Sequence, residues 1–454
     1  MSQQNSKSMV RDLTQGSVAK QLILFAMPLF VANALQAVYN IVDMVVVGQV
    51  IGGAGMSAVS IGGDVLHLLT FLAMGFSSAG QVIIAQLIGA KRGEELKRTI
   101  GTLFTFLFFV SIAISVLCFA IRTPILRWLN TPAESYKYTM DYMVTCIVGL
   151  VFIYGYNVVS AILRGMGDSR RPFLFIAIAA VLNTVLDILF VGFFGMEVFG
   201  AALATVIGQA VSFIISLVYL YRHRESFGFD FKRSSFAIDR SALARLLALG
   251  IPMAIQSAAI NISKIVLMSW INAEGVVYSA LSGIYNKTGM MLGIVSNSFT
   301  TAGSSMVGQN LGAGKNDRIP RILAVVGGIG LAVSTAFSVF LLLDPAAVCE
   351  MFTKDTAVLA ESSIIILPIV LNAYGCATRS PAFALINGSG NSRLNLLVAV
   401  LDGMLSRIGL AALLGFGLGM RCRGFWYGDA LAGFMPIVIG MSFFLSGKWK
   451  KAED

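Results

Sequence analysis

Apolar residues run through this chain in long blocks, interrupted by short polar stretches. Twelve blocks can be drawn, at about 20–47, 56–88, 99–121, 137–160, 172–194 and 198–221, then 243–272, 277–309, 321–343, 357–385, 393–417 and 424–446. Each is ~20 residues or longer, the length an α-helix needs to cross a bilayer. A membrane β-barrel would show ~10-residue segments of alternating polarity instead. Only helices and closed barrels satisfy their backbone hydrogen bonds in lipid. The pattern therefore predicts an all-α integral membrane protein with 12 transmembrane helices.

The blocks repeat. Gln86-Leu87-Ile88-Gly89-Ala90 returns as Gln309-Asn310-Leu311-Gly312-Ala313, and Gly165-Met166-Gly167-Asp168-Ser169 returns as Gly388-Ser389-Gly390-Asn391-Ser392, both 223 residues later. Arg98 and Arg321 keep that offset, and Pro28 and Pro252 keep it within one residue. Two distant matches at one offset indicate duplicated halves: an N-lobe at 1–221, a cytoplasmic linker at 222–242 carrying a surface helix, and a C-lobe at 243–454. Six crossings per half is an even number, so both halves enter the membrane from the same side. The expected pseudo-twofold axis therefore runs along the membrane normal. The Gly-x-Gly after Arg164 follows a helix rather than a strand and reads as a tight turn, not a nucleotide loop. No Walker motif is present, which excludes direct ATP hydrolysis.

Within the first block, polar residues interrupt the apolar run in a regular way. Asn33, Gln36, Asn40 and Asp43 step by 3, 4 and 3, which places them on one helix face. The amides could simply join helices. A carboxylate inside a membrane helix is rarer and points to function. Pro28 removes a backbone hydrogen bond near the helix start and is the expected hinge. A second acid, Asp187, lies four residues after Asn183 on one face of the fifth block, and Thr205 follows in the sixth. Carboxylate and amide oxygens suit Na⁺, and a carboxylate among apolar side chains gains affinity for H⁺. A buried helix–helix hydrogen bond is the alternative reading of Asn183 and Asp187; the ion site is the favoured one.

Composition and charge narrow the class. Apolar residues make up 57% of 454 and charged ones 12%, against about 25% charged in soluble domains. With the N-terminus cytoplasmic, 23 Lys and Arg fall in inside segments and six outside (Arg122, Arg127, Lys137, Lys354, Arg421, Arg423). The positive-inside rule then puts both termini in the cytoplasm of a multi-pass cell-membrane protein. The net charge of +10 belongs to loops facing anionic lipid, so no nucleic-acid partner is implied. The remaining cations, Lys264, Lys287, Arg379 and Arg407, fall inside predicted spans, where Arg379 or Arg407 is the natural partner of Asp402. Five scattered cysteines and two histidines offer neither a disulfide framework nor a metal site. No nucleophile–base constellation is present, so an enzyme is not expected.

Twelve helices in two halves, Pro28 with Asp43 in the first helix, and the Gln-x-x-Gly-Ala ends of helices 2 and 8 resemble the multidrug and toxic compound extrusion (MATE) transporters over essentially the whole chain. The spacing of Asp43, Asn183, Asp187 and Thr205 is similar to the N-lobe cation site of the bacterial branch related to DNA-damage-inducible proteins and archaeal members. The resemblance implies antiport of organic cations against H⁺ or Na⁺ by alternating access, with those four residues as the coupling site and no other cofactor. A monomer is expected. A drug pocket around Asp43 would draw on Gln36, Tyr39, Asn40, Met27, Phe30, Tyr154 and Asn157, an acid with aromatic and adaptable apolar walls. Another branch carries acids on helices 7 and 10. Here helix 7 offers Lys264 and mid-helix 10 offers Asn372 and Tyr374, so a C-lobe cation site of that kind is not expected. The alternative in the same superfamily is a lipid-linked precursor or polysaccharide flippase, which needs a cationic cleft that Lys264, Lys287, Arg379 and Arg407 could supply.

Overall fold

The computed structural model describes residues 11–450; Lys7 and Lys451, which entered the charge count, lie outside them. Twelve long helices follow one another: α1 Val18–Ile51, α2 Gly53–Gly89, α3 Gly93–Ala120, α4 Ala133–Gly165, α5 Arg170–Asp187, α6 Glu197–Arg222, α7 Arg240–Asn272, α8 Val276–Gly312, α9 Ile319–Leu343, α10 Ser363–Ser389, α11 Ser392–Val400 and α12 Cys422–Ala432 with Met435–Ser446. The helix of α5 continues as a π-helical turn, Ile188–Phe193. That of α11 continues through two such turns, Leu401–Ser406 and Leu413–Gly417. Among the described residues there is no strand, and eleven helical spans are long and apolar enough to cross a membrane. The twelfth, α8, is 37 residues long but more polar, with Ser282, Asn286, Lys287 and Thr288 in succession along it.

The chain forms two compact units. The first holds Met27–Gly250 together with Arg11 and Asp12; the second holds Leu13–Ala26 and the chain from Ile251 onward. In the first, α2 packs on α4, α3 on α4, and α4 and α5 on α6; in the second, α8 packs on α10, α9 on α10, and α10 and α11 on α12. The pairing scheme is the same, and so are the close approaches that permit it. A Cβ at Gly165 would sit 2.7 Å from the Gln81 carbonyl oxygen, and one at Gly388 would sit 2.9 Å from that of Ser304. Both glycines and both carbonyls are 223 residues apart. The turns that follow contain Gly167 at φ 84° and Gly390 at φ 74°, the left-handed region glycine occupies without strain. Asp168 Oδ1 then accepts the Arg170 N–H and Asn391 Oδ1 the Leu394 N–H, capping the next helix in each unit.

The second Gln-x-x-Gly-Ala motif seats the chain entering α1. Gln309 Oε1 accepts the Leu13 N–H at 3.0 Å, and Asn310 Nδ2 donates to the Leu13 carbonyl at 3.2 Å. Lys315 Nζ donates to the Thr14 carbonyl at 3.0 Å.

The 222–242 stretch folds onto the first unit. It contains a four-residue helix, Arg224–Phe227, and a 3₁₀ turn, Arg233–Phe236. The interleaved phenylalanines explain the docking, because Phe229 and Phe236 pack on Phe104 of α3. Thr105 Oγ1 donates to the Phe236 carbonyl at 2.7 Å, and Thr102 Oγ1 accepts the Asp239 N–H at 3.0 Å. At the exposed rim, the Ser235 hydroxyl donates to Asp230 at 2.5 Å and holds that carboxyl below its usual range.

Candidate functional site

Asp43 stands in the last third of α1, where the helix has already passed Pro28 without a break. Of the polar strip on this helix, Asp43 alone is buried; Gln36 and Asn40 are exposed and Asn33 is half-buried. Asp187 closes the α-helical part of α5, and the π-helical turn begins at the next residue. Such single wide turns inside helices are frequent at functional sites, because they re-aim the side chains beside them. Asn183 lies one turn earlier in α5, and Thr205 faces it from α6.

The structure brings these four residues together inside the first unit. Asn183 Nδ2 donates to Thr205 Oγ1 at 3.3 Å, and Asp187 lies within electrostatic reach of the Asp43 carboxylate. Asp43, Asn183 and Asp187 are 5%, 3% and 0% exposed. Yet Asp43 Oδ1, Asn183 Oδ1 and both carboxylate oxygens of Asp187 are buried without a hydrogen-bond donor. Buried polar atoms are nearly always paired, and a lone buried carboxylate oxygen is expensive. Four such acceptors in one cluster form a set of hard oxygen donors fit for a proton or a small monovalent cation. The bland reading of Asn183 and Asp187 as a simple interhelical hydrogen bond accounts for Asn183 and Thr205 but leaves Asp187 unexplained.

Val47, Ala58, Val59, Val191, Val198 and Ala201 of α1, α2, α5 and α6 pack into one apolar cluster, which Tyr142 of α4 joins. Tyr142 lies within reach of the Asp43 charge, and its hydroxyl is in hydrogen-bonding range of Thr205. Gly62 of α2 makes room for the ring, since a Cβ there would press on the Tyr142 ring at 2.5 Å. The sequence did not single out Tyr142. A tyrosine in the first third of a helix carries no periodic signal, and only the glycine opposite would have hinted at it.

The residues expected around a drug divide into two groups. Tyr39 is half-buried near Asp43, within range of Gln36 and Gln209. Phe30 is half-buried and Met27 is 44% exposed. Gln36 and Asn40 present open amides on the same helix. Tyr154 and Asn157 of α4 are otherwise engaged. Tyr154 is 1% exposed and its hydroxyl donates to the Leu69 carbonyl at 2.8 Å. Asn157 Nδ2 donates within its own helix to Ile153 at 2.8 Å. In this structure Tyr154 packs against α2 with its hydroxyl taken by the Leu69 carbonyl.

The second unit holds a different cluster. Arg407 of the α11 continuation binds Asp402 at 3.0 Å and also Asp429 of α12, all three nearly inaccessible. Tyr285 of α8 donates to the other Asp429 oxygen at 2.8 Å. Arg407 is thus the partner that Asp402 called for. Asp429 was not anticipated, although an acid three residues after Trp426 in an apolar span was visible.

Comparison with known proteins agrees with the duplicated design. A profile of the MatE family matches residues 28–189 and again 252–413, each match beginning on one of the paired prolines. The probable multidrug resistance protein YpnP of Bacillus subtilis (strain 168) is 33% identical over 313 residues, 68% of each chain. The probable multidrug resistance protein YoeA of the same organism is 30% identical over 334 residues, 71% of this chain and 72% of that one. An outward-facing multidrug resistance MATE family transporter superposes with a TM-score of 0.86 at 21% identity, over 97% of this chain and 98% of the other. Twelve membrane helices in two bundles, matched twice by one family profile, place this chain in the MatE family of membrane transporters.

Proposed function

We propose that this protein is a secondary active efflux transporter of the cell membrane, exchanging organic cations and other toxic compounds for H⁺ or Na⁺ by alternating access. The observation that carries the reading is the Asp187 carboxylate, fully buried with neither oxygen hydrogen-bonded and with Asp43 beside it. Two neighbouring carboxylates in an apolar interior repel one another, and a bound proton or Na⁺ relieves that repulsion. Asn183 and Thr205 add amide and hydroxyl oxygens to the same set.

Loading the site changes its local charge by one unit, which in a low-dielectric bundle is worth on the order of several kcal/mol. A full shift between two conformations needs about 5.5 kcal/mol of differential binding. Ion loading is therefore of the right size to drive a change in α1 about Pro28. Drug binding at Tyr39, Gln36 and Asn40 shares that helix, which couples the two events. The excess of Lys and Arg in the assigned inside loops favours cytoplasmic termini, and a monomer contains every residue this mechanism uses. Acids, rather than cations, line the first-unit site, which favours cationic cargo over the anionic headgroup of a flippase.

The test is efflux of a fluorescent organic cation from proteoliposomes, with proton and sodium gradients imposed separately. Uphill movement driven by one of the two gradients is expected. Equal movement with both gradients collapsed would overturn the antiport reading.

A further inference from the structure

The second unit inverts the polarity of the first. In the register set by Pro28 and Pro252, Asp43 falls opposite Leu267 and Asn40 opposite Lys264. Asp187 falls opposite Leu410 or Ala411, so neither coupling acid is repeated. Lys264 instead lines a crevice of the second unit with Ser282, Tyr285, Asn286, Trp426 and Asp429.

The charges around this crevice do not cancel. Asp429 is committed, one oxygen to Arg407 and the other to the Tyr285 hydroxyl. Arg407 also holds Asp402. Lys264 lies within electrostatic reach of Asp429, Arg407 and Arg379. Among the described residues neither Lys264 nor Arg379 forms an ion pair. Lys264 and Arg407 together balance Asp402 and Asp429, and Arg379 within reach of Lys264 brings one further positive charge. Tyr285 and Cys376 are the other titratable groups packed there, and neither is a carboxylate. An unpaired ammonium in a membrane helix is costly, and such residues generally serve a substrate or ion.

The neighbours of Lys264 are suited to an anion. Ser282 Oγ accepts the Trp426 indole N–H at 2.7 Å, which leaves the serine proton to donate. Asn286 adds an amide from the next turn of the same helix, and Leu267, Met268 and Ile271 give apolar walls. The crevice is narrow, with about 10 Å³ of free room, no more than one water needs. Only the polar tip of a compound can therefore enter it, with the rest left outside.

We propose that Lys264, Ser282 and Asn286 form an anion-accepting subsite that holds a carboxylate or phosphate group of a transported compound. The inference rests on the transporter reading and extends its cargo from simple cations to zwitterions and organic acids. Lysine is suited to this as a compact charge with three donors.

The experiment uses a xanthene dye with a free benzoate and its methyl ester, which share one scaffold and differ in that single charge. Binding is followed by fluorescence polarisation on the full chain in nanodiscs, alongside efflux of the ester from proteoliposomes. Wild type is expected to bind the acid at least about tenfold more tightly than the ester, the scale of one charge-assisted hydrogen bond. Lys264→Gln should erase that preference and leave ester affinity unchanged, while Lys264→Arg should keep most of it. Competition by benzoate and by phenyl phosphate tells a carboxylate site from a phosphate site, and needs no variant should Lys264→Gln fold poorly. Equal affinity for acid and ester in wild type, or equal weakening of both in Lys264→Gln, would show that Lys264 is only a counter-ion for the Asp402–Arg407–Asp429 cluster. Absence of driven ester efflux would instead overturn the transporter reading, whatever the binding result.

Discussion

Two side chains of the first unit separate chemistry from packing. Asp43 is buried with an oxygen that no donor reaches, whereas Tyr154 is buried with its hydroxyl fully used by Leu69. Asp43→Asn keeps the shape but cannot take up a proton or balance a cation. It should reduce gradient-driven efflux to background while the purified protein still elutes as a folded species at wild-type yield. Tyr154→Phe should do the reverse, costing about 1 kcal/mol of stability for the lost hydrogen bond with transport unchanged. Thermal melting and efflux measured on both variants check the contrast. Asp43 could be read from the sequence because an acid in an apolar run has few bland explanations. The role of Tyr154 could not, since an aromatic at helical spacing looks the same whether it faces a ligand or a neighbouring backbone.

Helices that widen locally explain what the sequence could not show at the next scale. Asp402 and Arg407 are five residues apart, which in a regular α-helix leaves their side chains about 140° apart around the axis. The π-helical turn Leu401–Ser406 follows an i→i+5 pattern and brings them to one side, where they bond at 3.0 Å. In the sequence Arg379 and Arg407 are equal candidates for Asp402, because the wide turn has no local signature. Asp429 was missed for another reason: its partners come from two other helices, and no periodicity reports contacts between helices. The twelve helices themselves were legible, because length and apolarity alone decide a membrane span. Pro28 was legible too, and it sits within a continuous α1. Pro28→Ala restores the missing backbone donor and stiffens that helix. The expected result is slower turnover in proteoliposomes by several-fold, with drug affinity within about twofold of wild type. Equal losses in rate and affinity would show that Pro28 shapes the pocket instead.

The duplication was readable from two short motifs, and it appears as matched packing, matched glycine contacts and matched turns in the two units. The divergence between the units was only partly readable. The acids of one and the lysine of the other were visible, but not which acids were already neutralised by Arg407. If the first unit couples ion and drug, the coupling is reciprocal. Drug affinity measured in nanodiscs should fall as the site is loaded, by raising H⁺ or Na⁺ concentration, and Asp187→Asn should flatten that dependence. Affinity independent of both ions in the wild type would end the shared-site mechanism.

The way the chain is apportioned has a consequence for cutting it. Leu13–Ala26 is counted with the second unit, and the first unit extends to Gly250, past the polar segment and into α7. A genetic split in the exposed 232–234 stretch would therefore yield two fragments, each carrying a helical segment that completes the other. Neither fragment made alone has a full complement, so each should be degraded or aggregate in the membrane. Made together they should find each other and recover efflux, as a dimer of half-length chains that exchange their first helical segments would. A fragment that proved stable and monodisperse by itself would show that the exchanged segments are dispensable to its fold.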